Sequence, residues 1–532
     1  MRRGLFPAIW ITLIFLLAGL AFLRKTGMHL DASFELAAFY PCSSPAHRMT
    51  LFGSEIPLMV IQYLGALKAW LFQPWLEHVR ITPTALRLPT LFLGAASVWM
   101  FVALLKRVGG CRAAVAGGLL LATDASFVIA TAYDFGPVVL LHFSLIAGML
   151  LLLRYERGGG KKYVALAFFL FGLALWHKAL FVWMLVGLAA AGVVTFPRRI
   201  RALASVSTIL VALVSLGAGA LPLIYYNVVT SGATLQTANV MSGEAPLSQK
   251  LLLFKRTMDS SAVFGWMTEE TQPATAVEPA RMGGRMSIAV ARAAGRVRSN
   301  GMFWAFLIAC GLLPWLWFTP ARRAALFASI YLAVTWAQMA AVPNAGGSLH
   351  HAILLWPFPH FLISVAGSQL SRAVGKHGLK IAVTTLVILT GCNLLVLNQL
   401  YADLTTNGTT VIWTDAVYPL FADLSTRNTS RVVVVDWGYA DTLCLFSAGQ
   451  MPLHNISYLL LQPSRAEITW IRSLMMDPWT VFVDHAEGGA QFVEARRRMA
   501  SIATEAGYKK HILSVIRDRN RRPRFEISRY TK

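Results

Sequence analysis

Twelve carboxylates fall in residues 1–400 of this chain, and their positions decide what chemistry they can do. Acids kept beside apolar segments are costly and are candidates for function by default. Six of them cluster near the ends of such segments: Asp31, Glu35, Glu55, Glu77, Asp124 and Asp134. In His29-Leu-Asp31-Ala-Ser-Phe-Glu35, a helix would bring Asp31 and Glu35 onto one face as i, i+4 neighbours. Such a pair shares a proton, holds a cation or flanks a hydroxyl. Asp31 capping a helix over 32–40 explains the same spacing more plainly. Glu55 precedes Ile56-Pro57-Leu58, an ordinary place for a charge at a helix start. Asp134, in Tyr133-Asp134-Phe135-Gly136-Pro137, serves equally as the cap of the next helix. Lys178, in Trp176-His177-Lys178, either snorkels or meets a phosphate. His350-His351 opens the tenth expected span, and an interfacial pair with no task is its plain reading. Asp259, Glu269 and Glu270, with Glu244 and Glu278, read as solvated loop charges.

The elements that must hold these residues are mostly membrane helices. Of 532 residues, 56% are hydrophobic and 14% charged, with a mean hydropathy of +0.56. These values exclude a disordered chain and argue against a soluble enzyme. Apolar stretches near 5–23, 88–105, 113–132, 135–153, 163–176, 179–196, 203–226, 302–318, 324–342, 352–371 and 381–400 give eleven expected spans. The first is read as a retained helix, because Arg24-Lys25 follows it with no small-residue cleavage site. The stretch 56–72 is broken by Gln62, Gly65 and Lys68 and is expected to lie as a helix in the interface. Alternate short loops and the N-terminus carry 17 Lys/Arg, from Arg2 and Arg3 to Lys380, all on one expected side. The positive-inside rule places that side in the cytoplasm and the acids outside. Arg24, Lys25 and Arg48 in the first outer loop run against this scheme.

The fold expected is thus a polytopic α-helical body over 1–400 followed by a soluble α/β domain over 401–532. A first outer loop spans 24–87 and a long outer loop 227–301. The tail holds 16 Lys/Arg and 13 Asp/Glu, the charge density of a soluble domain. Strands are expected at 432–435, 481–483 and 511–516, with helices near 415–426, 464–475 and 487–506. Asp436 would end the first strand, where open sheets bind ligands; capping the following helix is the plainer role. Five cysteines without CxxC spacing indicate neither a disulfide framework nor a zinc site, though Cys42 and Cys444 would face an oxidising compartment. The net charge of +23 sits beside apolar segments without interleaved aromatics, so nucleic acid is not an expected partner.

In order along the chain, these features resemble the GT-C-type glycosyltransferases that use polyprenyl-phosphate sugars. That group includes the protein O-mannosyltransferases of the family-39 type and the lipid A aminoarabinose transferases. The similarity rests on a loop aspartate after the first span and on Glu55 before Pro57-Leu58. Arg87-Leu88-Pro89-Thr90-Leu91-Phe92-Leu93-Gly94, Leu173-Ala-Leu-Trp-His-Lys178 and Leu354-Leu355-Trp356-Pro357 carry it further. It covers about 5–200 well and 300–400 weakly. It implies a GT-C-like fold and an outward active site in which Asp31 is the base or acceptor-orienting carboxylate. Glu55 and Asp134 join it as catalytic acids, Lys178, His350 and His351 contact the donor phosphate, and Glu35 and Arg87 are secondary. The chain departs from the family where Ala32 follows the loop aspartate and where Ile56-Pro57 replaces a basic residue before two prolines.

The implied partners are a polyprenyl-phosphate sugar, membrane lipid, and an acceptor glycan, lipid or protein. No cofactor is required by the residues; a divalent cation is the one candidate. The implied setting is a bacterial inner (plasma) membrane, with the N-terminus cytoplasmic and the C-terminal domain periplasmic or extracellular. The chemistry agrees: a departing phosphate needs nearby positive charge, and an attacking hydroxyl needs a carboxylate. A transporter or flippase is the alternative, but it wants charges near mid-membrane and paired broken helices. A scaffold would not depend on the rim acids.

Overall fold

The computed structural model describes residues 6–240, 245–271, 277, 279, 281–343 and 347–532. Arg2, Arg3, Glu244, Glu278 and Asn344 lie outside the described residues. Each expected span coincides with a helix or a bent helix pair. By length and composition, Pro83–Val108, Val139–Glu156, Val206–Val229, Arg322–Ala341 and Gly375–Thr406 are each able to cross a membrane alone. Gly110–Thr123 with Ala125–Tyr133 qualifies as a pair bent by 60°, and Leu349–Leu355 with Phe358–Ala373 as one bent by 41°. Phe181–Thr195 with Pro197–Leu203 turns through 104°. Pro7–Phe22, Lys162–His177 and Met302–Gly311 are shorter apolar helices.

Two of the bends are tied together by one acid. Asp124 was expected at an outer helix end, but it sits at the break of its bent pair and is fully buried. Its Oδ1 accepts the Phe127 amide at 2.8 Å and so caps the second half-helix. Its Oδ2 accepts Trp356 Nε1 at 3.1 Å and is 3.0 Å from His360 Nε2. Trp356 stands at the break of the other bent pair. Backbone and side-chain polar groups freed by a bend inside an apolar bundle must find partners, and here each break supplies the other.

The first loop departs from expectation. Its interfacial stretch is not one helix but a small antiparallel sheet, β1 (His47–Leu51), β2 (Ser54–Ile61) and β3 (Leu64–Gly65), followed by a helix over Leu67–Leu76 only. Phe52 (φ 50°) and Gly53 (φ 79°) make a two-residue turn with both residues left-handed, the geometry that closes a twisted hairpin. Pro57 lacks an amide to continue either a helix or a ladder, and it sits beside a register shift between His47 and Arg48. The loop's basic residues are used within the protein. Arg48 donates to the Ala38 and Tyr40 carbonyls, and Lys25 donates to Thr405 and lies over the Tyr401 ring.

The tail forms a five-stranded sheet in the order β5-β4-β6-β8-β7: β4 (Arg431–Val434), β5 (Leu453–Asn455), β6 (Thr480–His485), β7 (Lys509–Arg517) and β8 (Pro523–Thr531). β5, β4 and β6 run parallel, and β8 and β7 are antiparallel additions. Asp436 stands two residues past β4 and does not cap the helix that follows, Ala440–Phe446; it collects the amides of Trp437, Gln491 and Phe492 instead. The tail packs on the first loop. Helix Leu30–Ala37 shares an apolar cluster with Cys444 and Leu445, and Thr442 Oγ1 donates to Ser33 Oγ at 2.9 Å. Cys42 and Cys444 form a disulfide across 402 positions, which the cysteine count did not indicate. Pairing so remote depends on the docked fold, not on local spacing. Two acids of the long outer loop expected to be solvated are paired instead: Glu269 meets Arg524 of β8 at 3.4 Å, and Arg298 bridges Glu270 and Asp403.

Alkylation followed by mass spectrometry checks the disulfide. In unreduced, denatured protein, Cys111, Cys310 and Cys392 take the label and Cys42 and Cys444 do not. Labelling of Cys42 before reduction would contradict the docking of tail on loop.

Candidate active site

A charge cluster is sealed beneath the first loop. Lys68 projects from the helix Leu67–Leu76, and its Nζ lies 2.6 Å from Asp134 Oδ2 and 3.3 Å from Glu35 Oε2. His177 Nδ1 is 3.5 Å from Glu35 Oε1. All four side chains are buried to within a few per cent. Asp134 stands in the left-handed region (φ 47°), and its Oδ1 accepts the Val138 and Val139 amides, both at 3.2 Å. It therefore caps the helix Val139–Glu156 and binds the lysine at once.

One ammonium faces two carboxylates, and the geometry decides which of them stays charged. Asp134 has the shorter contact and two amides. Burial works against its charge, but Lys68, His177 and the Val139 amide together outweigh burial and hold Asp134 below the ordinary range. Burial likewise disfavours the Lys68 ammonium, yet Asp134 and Glu35 keep it above its ordinary value. Burial pushes Glu35 up to about 8, with Lys68 pulling the other way. At neutral pH the cluster thus holds Lys68⁺, Asp134⁻ and a protonated Glu35.

Over this cluster lies a more open rim built around one glycine. The Gly136 amide donates to Asp31 Oδ2 at 3.2 Å, and its carbonyl accepts from Lys178 Nζ. Gly136 has φ 66°, and a Cβ there would fall 2.1 Å from His350 Cβ, so only glycine fits. Asp31 is about a quarter exposed, while Lys178 is buried. Burial lowers Lys178 to about 8, against the pull of Asp31, Glu35 and Asp134. His29, not Asp31, caps the helix Leu30–Ala37; its Nδ1 accepts the Asp31 amide at 3.1 Å. Asp31 is left free for other work. His350 Nδ1 pairs with Ser348 Oγ at 2.9 Å, and the His350 and His351 rings are 4.3 Å apart.

Of the residues expected from sequence, Asp31, Glu35, Asp134, Lys178 and His350 come together, with His351 alongside. Glu55 does not. It is exposed beside the hairpin turn, while Lys178 bridges Leu64, which pairs with Ile61. From Ile61 back to Glu55 the extended strand runs about 20 Å. Arg87 is buried as an anchor. It donates to the Leu23, Thr26 and Gly27 carbonyls and lies over the Tyr133 ring at 4.5 Å, so it pins the chain leaving the first span. Lys68 and His177 were missed as site residues. The available signal was Lys68 itself, a lone base in an apolar stretch, which demands a buried counter-charge.

A divalent cation does not fit this arrangement. The Lys68 ammonium occupies the place between Asp134 and Glu35, and among the described residues no three His, Cys, Asp or Glu side chains are placed to hold a metal ion.

No protein-family model matches the sequence, and no curated protein matches it significantly. Solved structures do match the fold. ArnT from Cupriavidus metallidurans bound to undecaprenyl phosphate superposes with a TM-score of 0.62 at 12% identity, over 98% of this chain and 97% of that one. ArnT in the apo state gives 0.56 at 14% identity, over 97% of each chain. Identity so low speaks for shared architecture alone: the chain has the GT-C-like helical body with a C-terminal α/β domain.

Two outcomes test this geometry. Glu35 rises from 4.5 to about 8 on folding, so its contribution to stability is full below the lower value and is lost as pH rises through the higher one. Over about pH 5 to 8 the wild-type Tm therefore falls relative to that of Glu35→Gln; equal slopes would contradict a proton on Glu35. Gly136→Ala, with its left-handed backbone and no room for Cβ, destabilises by roughly 1–3 kcal/mol in thermal unfolding. A neutral Gly136→Ala would contradict the packing of His350 on this turn.

Proposed function

We propose that the chain is an integral-membrane glycosyltransferase that moves a sugar from a polyprenyl-phosphate donor to an acceptor hydroxyl on the extracytoplasmic face. One juxtaposition carries the reading: a partly exposed carboxylate, Asp31, and a buried ammonium, Lys178, held by the amide and the carbonyl of one residue, Gly136. In the reaction the acceptor oxygen attacks the anomeric carbon while the bond from that carbon to the phosphate oxygen breaks. The hydroxyl proton passes to the Asp31 carboxylate, and the polyprenyl phosphate leaves as an anion. Lys178, poised near neutrality, supplies the positive charge that the leaving phosphate requires, and His350 and His351 stand beside it. Attack opposite the leaving group inverts the anomeric centre.

An apolar groove supports a lipid-linked donor. An apolar groove of about 280 Å³ runs between helices and is lined by Leu251, Phe254, Phe306, Leu313, Trp336 and Leu355, among others. Leu355 follows His351 by four residues, so the groove is contiguous in sequence with the histidine pair. Lys250, next to Leu251, donates to the Met339, Ala340 and Val342 carbonyls and closes the C-terminal end of Arg322–Ala341. The undecaprenyl phosphate named for one ArnT structure supports a donor of this class. The 17 basic residues on the opposite loops support a cytoplasmic N-terminus, and the disulfide supports an oxidising compartment for the tail.

Asp31→Asn, assayed with a polyprenyl-phosphate sugar, is expected to lower kcat by roughly 10²-fold or more with little change in donor KM. Lys178→Met is expected to weaken donor use. Full turnover by Asp31→Asn would remove the base from the mechanism.

A further inference from the structure

The long outer loop carries an amphipathic helix, Met282–Ala293, that the rim does not use. Its buried residues, Gly284, Ser287 and Ala291, recur at i, i+3 and i+7, and this stripe packs on the span Gly375–Thr406. Ser287 Oγ donates to the Asn398 carbonyl at 3.2 Å, Asn398 Nδ2 donates to the Ser287 carbonyl at 3.0 Å, and Gly284 lies against Thr405. The helix is therefore held along the last turns of that span. Lys380 and Asp403 bracket 22 uncharged residues of the span. These make about 33 Å of helix, close to the thickness of a hydrocarbon core. Asp403 accordingly marks one edge of the core, and the contacts at Asn398 and Thr405 set Met282–Ala293 at that edge.

The side turned away from the span is apolar. Met282, Met286 and Val290, spaced by four, are exposed at 73, 58 and 44%, and Ala289 and Ala293 on the same side are exposed too. Arg281, Arg285 and Arg292 line one flank of this stripe, within about 40° of one another at 100° per residue. The stretch 281–298 holds five arginines and no acid. Arg298 is paired with Glu270 and Asp403, but Arg281, Arg292 and Arg296 have no carboxylate partner among the described residues. Lys25, bound to Thr405 at the same end of the span, adds to the positive charge there; burial, Arg519 and Arg281 lower it to about 8. An apolar stripe flanked by cations at a bilayer edge matches an anionic lipid surface. Acyl carbons cover the stripe, and headgroup phosphates meet the guanidinium groups.

We propose that the helix Met282–Ala293 is a lipid-binding surface: Met282, Met286 and Val290 enter the leaflet at that end of the span, and Arg281 and Arg292 select anionic phospholipid headgroups. The inference needs only the membrane body, not the glycosyl-transfer reading, and it is measured without turnover.

The full-length protein, with Cys111, Cys310 and Cys392 replaced by serine and Met286→Cys carrying a nitrobenzoxadiazole label, is placed in phosphatidylcholine nanodiscs. Equal small fractions of 5-doxyl-phosphatidylcholine or 5-doxyl-phosphatidylglycerol are added as quenchers. Both lipids quench the label, and the phosphatidylglycerol quencher does so at least twice as strongly at low salt. A label at Ser501→Cys, exposed on the tail, is quenched by neither. In Arg281→Gln/Arg292→Gln the two quenchers become equal, and in Arg281→Lys/Arg292→Lys the preference persists, which separates charge from misfolding. The proposal is overturned if neither lipid quenches the Met286→Cys label, which would assign the face to water or to a protein partner. Equal quenching by the two lipids in the arginine-bearing protein, or a preference that survives Arg281→Gln/Arg292→Gln, would overturn the headgroup selection.

Discussion

The contact on which the site depends is the buried ammonium of Lys68 between Asp134 and Glu35. Three separate pieces of chain meet there: the helix after the first span, the helix after the small sheet, and the turn between two spans. None of these charges is stable alone in so dry a place, since an isolated buried charge costs several kcal/mol. Together they form a neutral set, because Glu35 keeps its proton while Asp134, with its two backbone donors, does not. The arrangement fixes the 134–138 turn, and that turn places Gly136.

Gly136 converts a structural ion cluster into a surface able to do chemistry. Its amide engages Asp31 and its carbonyl engages Lys178. A carboxylate and an ammonium that would otherwise collapse into a direct pair are each satisfied by backbone, and both remain available to a ligand. The C-terminal domain steadies the same helix from the other side through the disulfide and the Thr442–Ser33 contact. The helix that carries Asp31 therefore meets both the helical body, through Asp31 and Gly136, and the tail, through Ser33 and Thr442. This explains why a soluble domain is packed so closely on a membrane-embedded site.

Much of this was legible in the residues. Apolar length marked the long apolar helices of the body, though not Leu247–Met258 and Met282–Ala293 of the long outer loop, and β-branched runs located β4 and β6. Acids sorted to one end of the bundle pointed to Asp31, Asp134 and Lys178. The misses have physical causes. Hydrophobicity does not separate a buried hairpin from an interfacial helix, and in 56–72 the turn at Phe52-Gly53 and the proline at 57 were the informative residues. β8 alternates charged and apolar positions too irregularly to declare itself. Glu55 looked functional by its neighbours in sequence, but the extended strand carries it far from Lys178. Cys42 pairs with Cys444 only because the tail docks on the loop, and Lys68 finds its acids only in three dimensions.

A double-mutant cycle on Lys68 and Asp134 tests the central claim most directly, with Lys68→Met, Asp134→Leu and the pair compared by unfolding free energy in nanodiscs. The account predicts that each single change costs about 3–5 kcal/mol by leaving a buried charge unpaired. It predicts that the double variant recovers much of that loss, with a coupling energy of about 2 kcal/mol or more. Additive losses, or a mild effect of Lys68→Met alone, would mean that the ammonium does not organise the site.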